Sequence, residues 1–436
     1  MASVKLSNAD AAWLHMEDPT NLMMITGLFL FSAPVRFRRM RDTLEKRLLS
    51  YDRFKMKVRS GRVGVKPTWE HDREFDLDHH FQPVTVPEPG DKPALLEVVS
   101  RLMSTPLDRD RPLWQLLLVE DFQGGSALIC RLHHAIADGI ALMKVLLNLT
   151  DPAPESASFE GSTQSIRPRR KRQSWESLVK RPRELVDLAG RGLEAAAGLG
   201  KILLDSEPAT PLKGKLGLEK KAAVSRAVPL DLVKAARQSH GATVNDLLIA
   251  ALTGALRRYL ERRGAKVDNL SIRVVVPVDL RQPHDQELGN RFGLVFLSLP
   301  VGIPDPMERL REVKKRMDAL KRTPQAAVVL GLLSAVGVVP AELERRVVEL
   351  FGSKATGVVT NVPGPQQPLF LAGAPISGMM FWVPQSGRLG LGVSILSYAG
   401  QVRLGVATDA GLMPDPESLV EDFHDAFEEL LAAPVP

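Results

Sequence analysis

A single cysteine, Cys130, stands among 436 residues, so no intramolecular disulfide can form and the chain suits a reducing compartment. No secretory leader is expected, because the first apolar run, Leu22 to Phe31, follows the acidic pair Glu17–Asp18 and not a basic segment. Membrane-spanning runs are missing as well. The stretch Val328 to Pro340 holds 13 residues, two of them glycine, where a spanning helix needs about 20. A cytoplasmic protein is expected, one that can still rest peripherally on the inner membrane or on lipid inclusions. Several catalytic signatures are also absent: GxSxG, the P-loop and CxxC do not occur, and Gly387–Gly392 lacks the third glycine of a dinucleotide fingerprint. No two histidines stand at the i, i+4 spacing that suits a metal on a helix, so no metal site is expected. There is no internal repeat of fixed period.

What is present is ordinary in bulk: 44% hydrophobic and 25% charged residues exclude a disordered chain, a collagen-like fibre and a disulfide scaffold. The formal net charge of +6 is local. Arg167 to Arg183 carries eight basic residues and one acid, so this segment is +7 and the remainder sums to −1. Ser7-Asn8-Ala9-Asp10 forms a capping-box pattern ahead of a short helix to Met16. Strands are expected at Met23–Phe31, Leu113–Val119 and Ala127–Leu132, with helices at Phe37–Leu49, Leu95–Met103 and Ile140–Leu149. Beyond residue 224 the pattern predicts helices at Leu230–Gln238, Val244–Arg262, Pro306–Lys321, Pro340–Phe351 and Pro416–Leu431. Strands are expected there at Ile272–Val278, Phe292–Leu299, Gly357–Thr360, Met379–Val383, Gly390–Leu396 and Val402–Thr408. The reading is two α/β halves, 1–150 and 224–436, joined by a basic crossover linker, 151–223.

One heptapeptide concentrates chemistry: His133-His134-Ala135-Ile136-Ala137-Asp138-Gly139. It lies between an apolar strand and an apolar helix, a connection from which side chains project into a cleft. A neutral imidazole there accepts a proton from an alcohol near neutral pH. Asp138 orients a ring or secures the loop by an ion pair, and Gly139 lets the backbone turn sharply into the helix. The competing reading is a satisfied histidine pair in a turn. His79-His80 serves as an internal contrast, since no aspartate or glycine follows at the same offsets; an ordinary polar edge is expected for it. Cys130, in the strand before the histidines, reads as a small buried hydrophobe and not as an activated thiol.

HHxxxDG, here His133–Gly139, resembles the signature of the acyltransferases that depend on CoA or carrier proteins and share the chloramphenicol-acetyltransferase fold. Further stretches are similar to one branch, the bacterial wax ester synthase/diacylglycerol acyltransferases: Leu6–Trp13 with Pro19-Thr20-Asn21, the PLW motif Pro112-Leu113-Trp114, and the ND motif Asn245-Asp246. Val276–Arg281, Gly289-Asn290 and Thr360–Pro365 belong to the same set. They run in family order from Leu6 past Pro365; within 151–225 nothing is similar. The resemblance implies two chloramphenicol-acetyltransferase-like α/β domains with mixed sheets. It implies a ternary-complex mechanism in which His134 takes the proton of the acceptor hydroxyl while His133 supports it. Asp138 is implied to point away from substrate and pair with a basic residue, for which Arg281 is the candidate. Acyl-CoA is implied as co-substrate, with no cofactor, and a fatty alcohol or diacylglycerol as acceptor.

Local readings stand beside these. Thr243 to Asp246 is also a capping box, so Asp246 binds helix amides; that reading is compatible with a site-shaping role beside Asn245, since a correctly started helix forms one wall of a pocket. Pro112-Leu113-Trp114 opens a buried strand, where packing is its first role. Thr360-Asn361 precedes a Pro-Gly-Pro turn, and the Asn361 amide either stabilises that turn or donates to a developing oxyanion. His133 and Asp138 also form the H-x4-D pair of membrane-bound glycerol-phosphate acyltransferases, in which the first histidine is the base; the missing spans, His134 and Gly139 argue against it. A carrier-dependent condensation enzyme and a non-catalytic lipid-binding protein remain as alternatives. The run 167–183 reads as a solvated linker or as a strap for anionic membrane or lipid-droplet surfaces. Without interleaved aromatics it does not read as a nucleic-acid patch.

Overall fold

A computed structural model of the chain describes residues 4–59, 66–153, 200, 206–279, 292–322, 350, 352–385, 387 and 389–434. The basic run 167–183, Arg281, Gly289-Asn290, Val328–Pro340 and most of the helix expected at 340–351 lie outside them. In chain order the first part contains β1 (Val4–Lys5), α1 (Asn8–Met16), β2 (Met24–Phe31), α2 (Phe37–Thr43), β3 (Met56–Arg59), β4 (Thr68–His71), α3 (Leu77–His80), β5 (Phe81–Pro83), α4 (Lys92–Met103), β6 (Trp114–Phe122), β7 (Gly125–His133) and α5 (Gly139–Leu149). The second contains β8 (Lys220–Val224), β9 (Val228–Pro229), α6 (Leu230–Ser239), α7 (Val244–Arg262), β10 (Ile272–Asp279), β11 (Phe292–Leu299) and α8 (Pro306–Lys321). It closes with β12 (Gly357–Pro363), β13 (Phe370–Leu371), β14 (Ala374–Trp382), β15 (Leu391–Tyr398), β16 (Gln401–Asp409) and α9 (Pro416–Ala432).

The expected elements within the described residues form, with shifts at their ends. Local chemistry explains why: Ser7 accepts from the Asp10 amide to start α1, and Asp91 and Asp305 do the same for α4 and α8. The helix expected over Phe37–Leu49 is α-helical only to Thr43, after which Leu44–Leu48 winds as a π-helix; Met40, Leu44 and Leu48 form its buried stripe. Regular structure resumes at Lys220, earlier than the pattern suggests. An alanine-rich strand such as β8 carries little periodicity.

Two mixed sheets dominate. One runs β11-β10-β12-β15-β16-β8, with β9 also on β16; the other runs β13-β14-β2-β7-β6-β5. β1, β4 and β3 form a small third sheet. The large sheets do not follow the expected halves, because β14 comes from the C-terminal part yet pairs antiparallel with β2, Trp382 opposite Thr26. That makes β2 an interior strand flanked by β14 and β7, which accounts for its nearly unbroken apolar run, MITGLFLF.

The sheets meet where β14 crosses β16. A Cβ at Gly405 would stand 2.6 Å from Met380 Sδ, so only glycine permits this approach. Trp382 Nε1 donates to Ala223 O at 3.3 Å across the seam. Asn21 of the Pro19-Thr20-Asn21 motif donates to Gln385 O, and the Gln385 amide donates to Ala407 O. A buried ion pair, Lys220 Nζ to Asp409 Oδ2 at 2.7 Å, closes the end of β8 on β16. No helix among the described residues is long and apolar enough to cross a membrane.

Candidate active site

β7 ends at His133, and its register puts His133 opposite Met24 of β2. The His133 amide donates to Leu113 O at 2.9 Å and the His134 amide to Met23 O at 2.7 Å. Two neighbouring strands thus hold the histidine backbone by main-chain bonds that require no particular side chain. Ala135, Ile136 and Ala137 are fully buried. The connection is therefore a packed turn rather than a surface loop.

His133 is buried, with Nδ1 hydrogen-bonded and Nε2 against a carboxylate. Its Nδ1 accepts from the Ala135 amide at 3.0 Å, so Nδ1 bears no proton and the ring proton belongs on Nε2. That Nε2 stands 3.0 Å from Glu17 Oε2. Glu17, just past the end of α1, also receives Arg109 Nη2 at 2.6 Å and the Met23 amide at 3.1 Å. Burial alone would raise the Glu17 carboxyl, but the facing Nε2 of His133 and then the Arg109 guanidinium outweigh it and pull it down to about 2. His134 is buried too. Its ring stacks on Trp13 of α1, centroids 4.1 Å apart and planes 22° from parallel. The packing face of α1 therefore sets the plane of the second imidazole.

Asp138 is the N-cap of α5, accepting from the Ala141 amide at 3.0 Å. Its expected partner, Arg281, lies outside the described residues. The expectation for Gly139 needs correction. It is the first residue of α5 without a left-handed φ, so no sharp turn depends on it; among the described residues a Cβ there would meet nothing within 4 Å.

Pro112 and Leu113 are buried, and Leu113 supplies the carbonyl that receives His133. Trp114 donates to Phe54 O at 2.8 Å and stacks on His80 at 4.5 Å. The PLW motif thus positions the end of β7 through packing. His80 departs from the polar edge expected for the 79–80 pair: it is buried, its Nδ1 lying 2.8 Å from Trp114 O, while His79 is exposed. Cys130 is a buried free thiol, and burial pushes its pKa up.

On the other large sheet, β12 and α7 bring two motifs together, the Asn361 amide donating to Asn245 Oδ1. Asp246 belongs to the capping box instead, with Oδ2 accepting the Thr243 amide at 2.8 Å and its own amide bonded to Thr243 Oγ1 at 3.1 Å. Its side chain is fully buried among the described residues, where it starts α7. Thr360 is buried as well, 3.4 Å from Ser394 Oγ.

Residues 6–248 match the wax ester synthase/diacylglycerol acyltransferase catalytic domain, and residues 288–431 match the C-terminal domain of the same proteins. The chain belongs to the wax ester synthase/diacylglycerol acyltransferase family. It is 30% identical to a probable diacylglycerol O-acyltransferase of Mycobacterium tuberculosis, over 97% of both chains. It is 28% identical to a second, putative diacylglycerol O-acyltransferase of that organism, over 99% of this chain and 90% of the other. The fold is shared with the wax ester synthase/diacylglycerol acyltransferase of Marinobacter aquaeolei VT8, at TM-score 0.73, 24% identity and 98% coverage of each chain. A condensation domain of the calcium-dependent antibiotic synthetase follows the same path at TM-score 0.66 and 17% identity, covering 100% of this chain and 97% of its own. The expected two-domain α/β architecture with mixed sheets is therefore the observed one, and the protein is an acyltransferase of this family. Sequence reasoning missed Glu17 and Arg109. The HHxxxDG signature contains neither, and only folding brings them to His133.

Proposed function

We propose that the enzyme transfers a long-chain acyl group from acyl-CoA to the hydroxyl of a fatty alcohol or diacylglycerol, with His134 as general base. The observation that carries this assignment is the placement of His133. With Nδ1 accepting an amide proton and Nε2 buried 3.0 Å from the Glu17 carboxylate, both nitrogens of the first imidazole face protein groups. The second is held flat by Trp13. This disfavours the H-x4-D alternative, in which the first histidine would be the base.

In the proposed step a His134 nitrogen accepts the acceptor hydroxyl proton as the oxygen attacks the thioester carbonyl. The C–S bond of the resulting tetrahedral adduct then breaks, and the CoA thiolate takes the proton back from His134. Ester and free CoA leave, and no acyl-enzyme forms. Arg281 remains the proposed counter-ion of Asp138. Residues 167–183 remain the proposed contact with an anionic membrane or lipid-droplet surface.

The test is release of free CoA from palmitoyl-CoA with hexadecanol or a diacylglycerol. His134→Ala should lower kcat by about 10²–10⁴-fold, the usual share of a general base, and His133→Ala should cost less among variants that keep the fold. A chain that stays active without His134 and dies without His133 would reverse the assignment.

A further inference from the structure

Arg131 is a buried cation, two residues before the first histidine, that the proposed chemistry does not use. It is only 3% exposed, yet among the described residues no carboxylate stands within 4.0 Å of it. Its partners are neutral: Nη1 donates to Gln115 Oε1 at 2.8 Å, while Nη2 donates to the Thr105 carbonyl and lies 3.6 Å from Met24 Sδ. Nε has no hydrogen-bond partner among the described residues. Burial pulls the pKa down to about 10, so the guanidinium keeps its charge at neutral pH. A buried charge without a counter-ion costs stability that an apolar side chain would not. Part of that cost is offset by α4, because Thr105 follows the helix by two residues and the macrodipole presents its negative end there.

The guanidinium acts beside the catalytic connection. Side chains two apart on a strand share a face, so Arg131 and His133 project to the same side of β7. Met24 is the residue opposite His133 on β2, so Arg131 reaches across to the histidine's own cross-strand neighbour. Thr105 also opens the connection 105–113 that joins α4 to β6. That connection is tied to the site in succession: Arg131 on Thr105 O, Arg109 Nη2 on Glu17 Oε1 at 2.6 Å, and Leu113 O under the His133 amide at 2.9 Å. Between Thr105 and Asp110 only Leu107 is even half-buried, so burial does little to fix the path. Where the connection starts therefore governs how Arg109 meets Glu17, and Glu17 in turn faces the His133 ring.

We propose that Arg131 is a positioning residue of the acyl transfer: its hold on the Thr105 carbonyl sets the path of 105–113, which delivers Arg109 to Glu17 and keeps the His133 ring in place beside the base. In this role the guanidinium touches neither substrate nor reacting atoms. Its fork serves Gln115 and Thr105 at once, which a single ammonium does less well. The effect on rate rests on the function proposed above; the effect on His133 does not.

The test uses the full chain and two kinds of measurement. In protein labelled with nitrogen-15 at histidine, Arg131→Met should shift the ring nitrogen resonances of His133. Hydrogen exchange of the 105–113 amides should quicken about tenfold while that of the β3–β4 pair stays unchanged. Arg131→Lys keeps the charge without the fork, should show the same changes to a smaller degree, and serves where the methionine variant does not fold. With palmitoyl-CoA and hexadecanol, Arg131→Met should lower kcat about tenfold and leave KM within about twofold. Arg109→Met should do the same, and the double variant should be no slower than either single, because both cut one line of contacts. Multiplied losses in the double variant, or an unchanged kcat in Arg131→Met, overturn the proposal. Unmoved His133 resonances overturn it whatever the activity. A wild type inactive on these substrates overturns the proposed function instead, and the resonances alone then decide for Arg131.

Discussion

Glu17 joins three groups at one carboxylate: the His133 ring, the Arg109 guanidinium and the Met23 amide. Because its carboxyl lies at about 2 in the fold against an ordinary 4.5, the stability it contributes is complete above pH 4.5 and drains away as pH falls towards 2. A shift of that size corresponds to on the order of 3 kcal/mol. Glu17→Gln should therefore flatten the acid limb of a stability-versus-pH curve between those values, measured by urea unfolding. At neutral pH it should also lower kcat by about a hundredfold, since a displaced His133 moves the adjoining residue, the proposed base. An unchanged acid limb together with unchanged kcat would remove Glu17 from the site. The histidines were legible because their chemistry is written in seven consecutive residues. Glu17 was not, because an acid at the end of one helix acquires its meaning only when β2 and β7 carry the chain back beside it.

Elements show the same division between local and distant causes. The starts of α1 and α7 were legible, since an N-cap bond, and at α7 a full capping box, is closed by residues three apart. β8 was not, because five residues with two alanines show no alternation, and its place depends on partners far along the chain. One of its flanks is sealed by α4, whose Ser100 and Ser104 hydroxyls accept the amides of Ala222 and Lys220 at 2.9 and 2.8 Å. An edge that would otherwise offer free amides is thereby closed. The Lys220–Asp409 pair fastens the same strand, with Asp409 also receiving the Gly217 and Gly411 amides at 2.8 and 3.0 Å. Removing one partner of a buried pair leaves an uncompensated charge, so Lys220→Met should destabilise the protein by about 3–5 kcal/mol. Lys220→Met/Asp409→Leu should recover part of that loss in the same denaturation experiment. Equal losses in single and double variants would show that the ion pair is not what closes the strand.

For the whole molecule, the exchange of β14 ties the fates of the two parts together. Residues 1–153 expressed alone would leave β2 as an exposed edge of apolar side chains where β14 belongs, and such an edge pairs with other chains. That fragment should be insoluble or aggregate, and co-expression with residues 206–436 should restore a soluble complex. The intact chain should unfold in one transition by circular dichroism and by calorimetry. A soluble, monomeric and cooperatively folded 1–153 would contradict this dependence. The α/β class and the order of elements were legible from alternation and period. The allegiance of β14 was not, since alternation says that a strand is half-buried and not which sheet buries it.

The stacking of Trp13 on His134 has an optical consequence. An imidazolium in van der Waals contact with an indole quenches its emission, whereas neutral imidazole does so weakly, so the protonation of the proposed base is written into the light the protein emits. The difference spectrum between proteins with and without Trp13→Phe should follow that proton through a pH titration, and its pH dependence should disappear in the His134→Gln background, while the emission of Trp114 over His80 is subtracted out. The enzyme carries its own indicator dye, one ring's thickness from the atom that the proposed chemistry protonates.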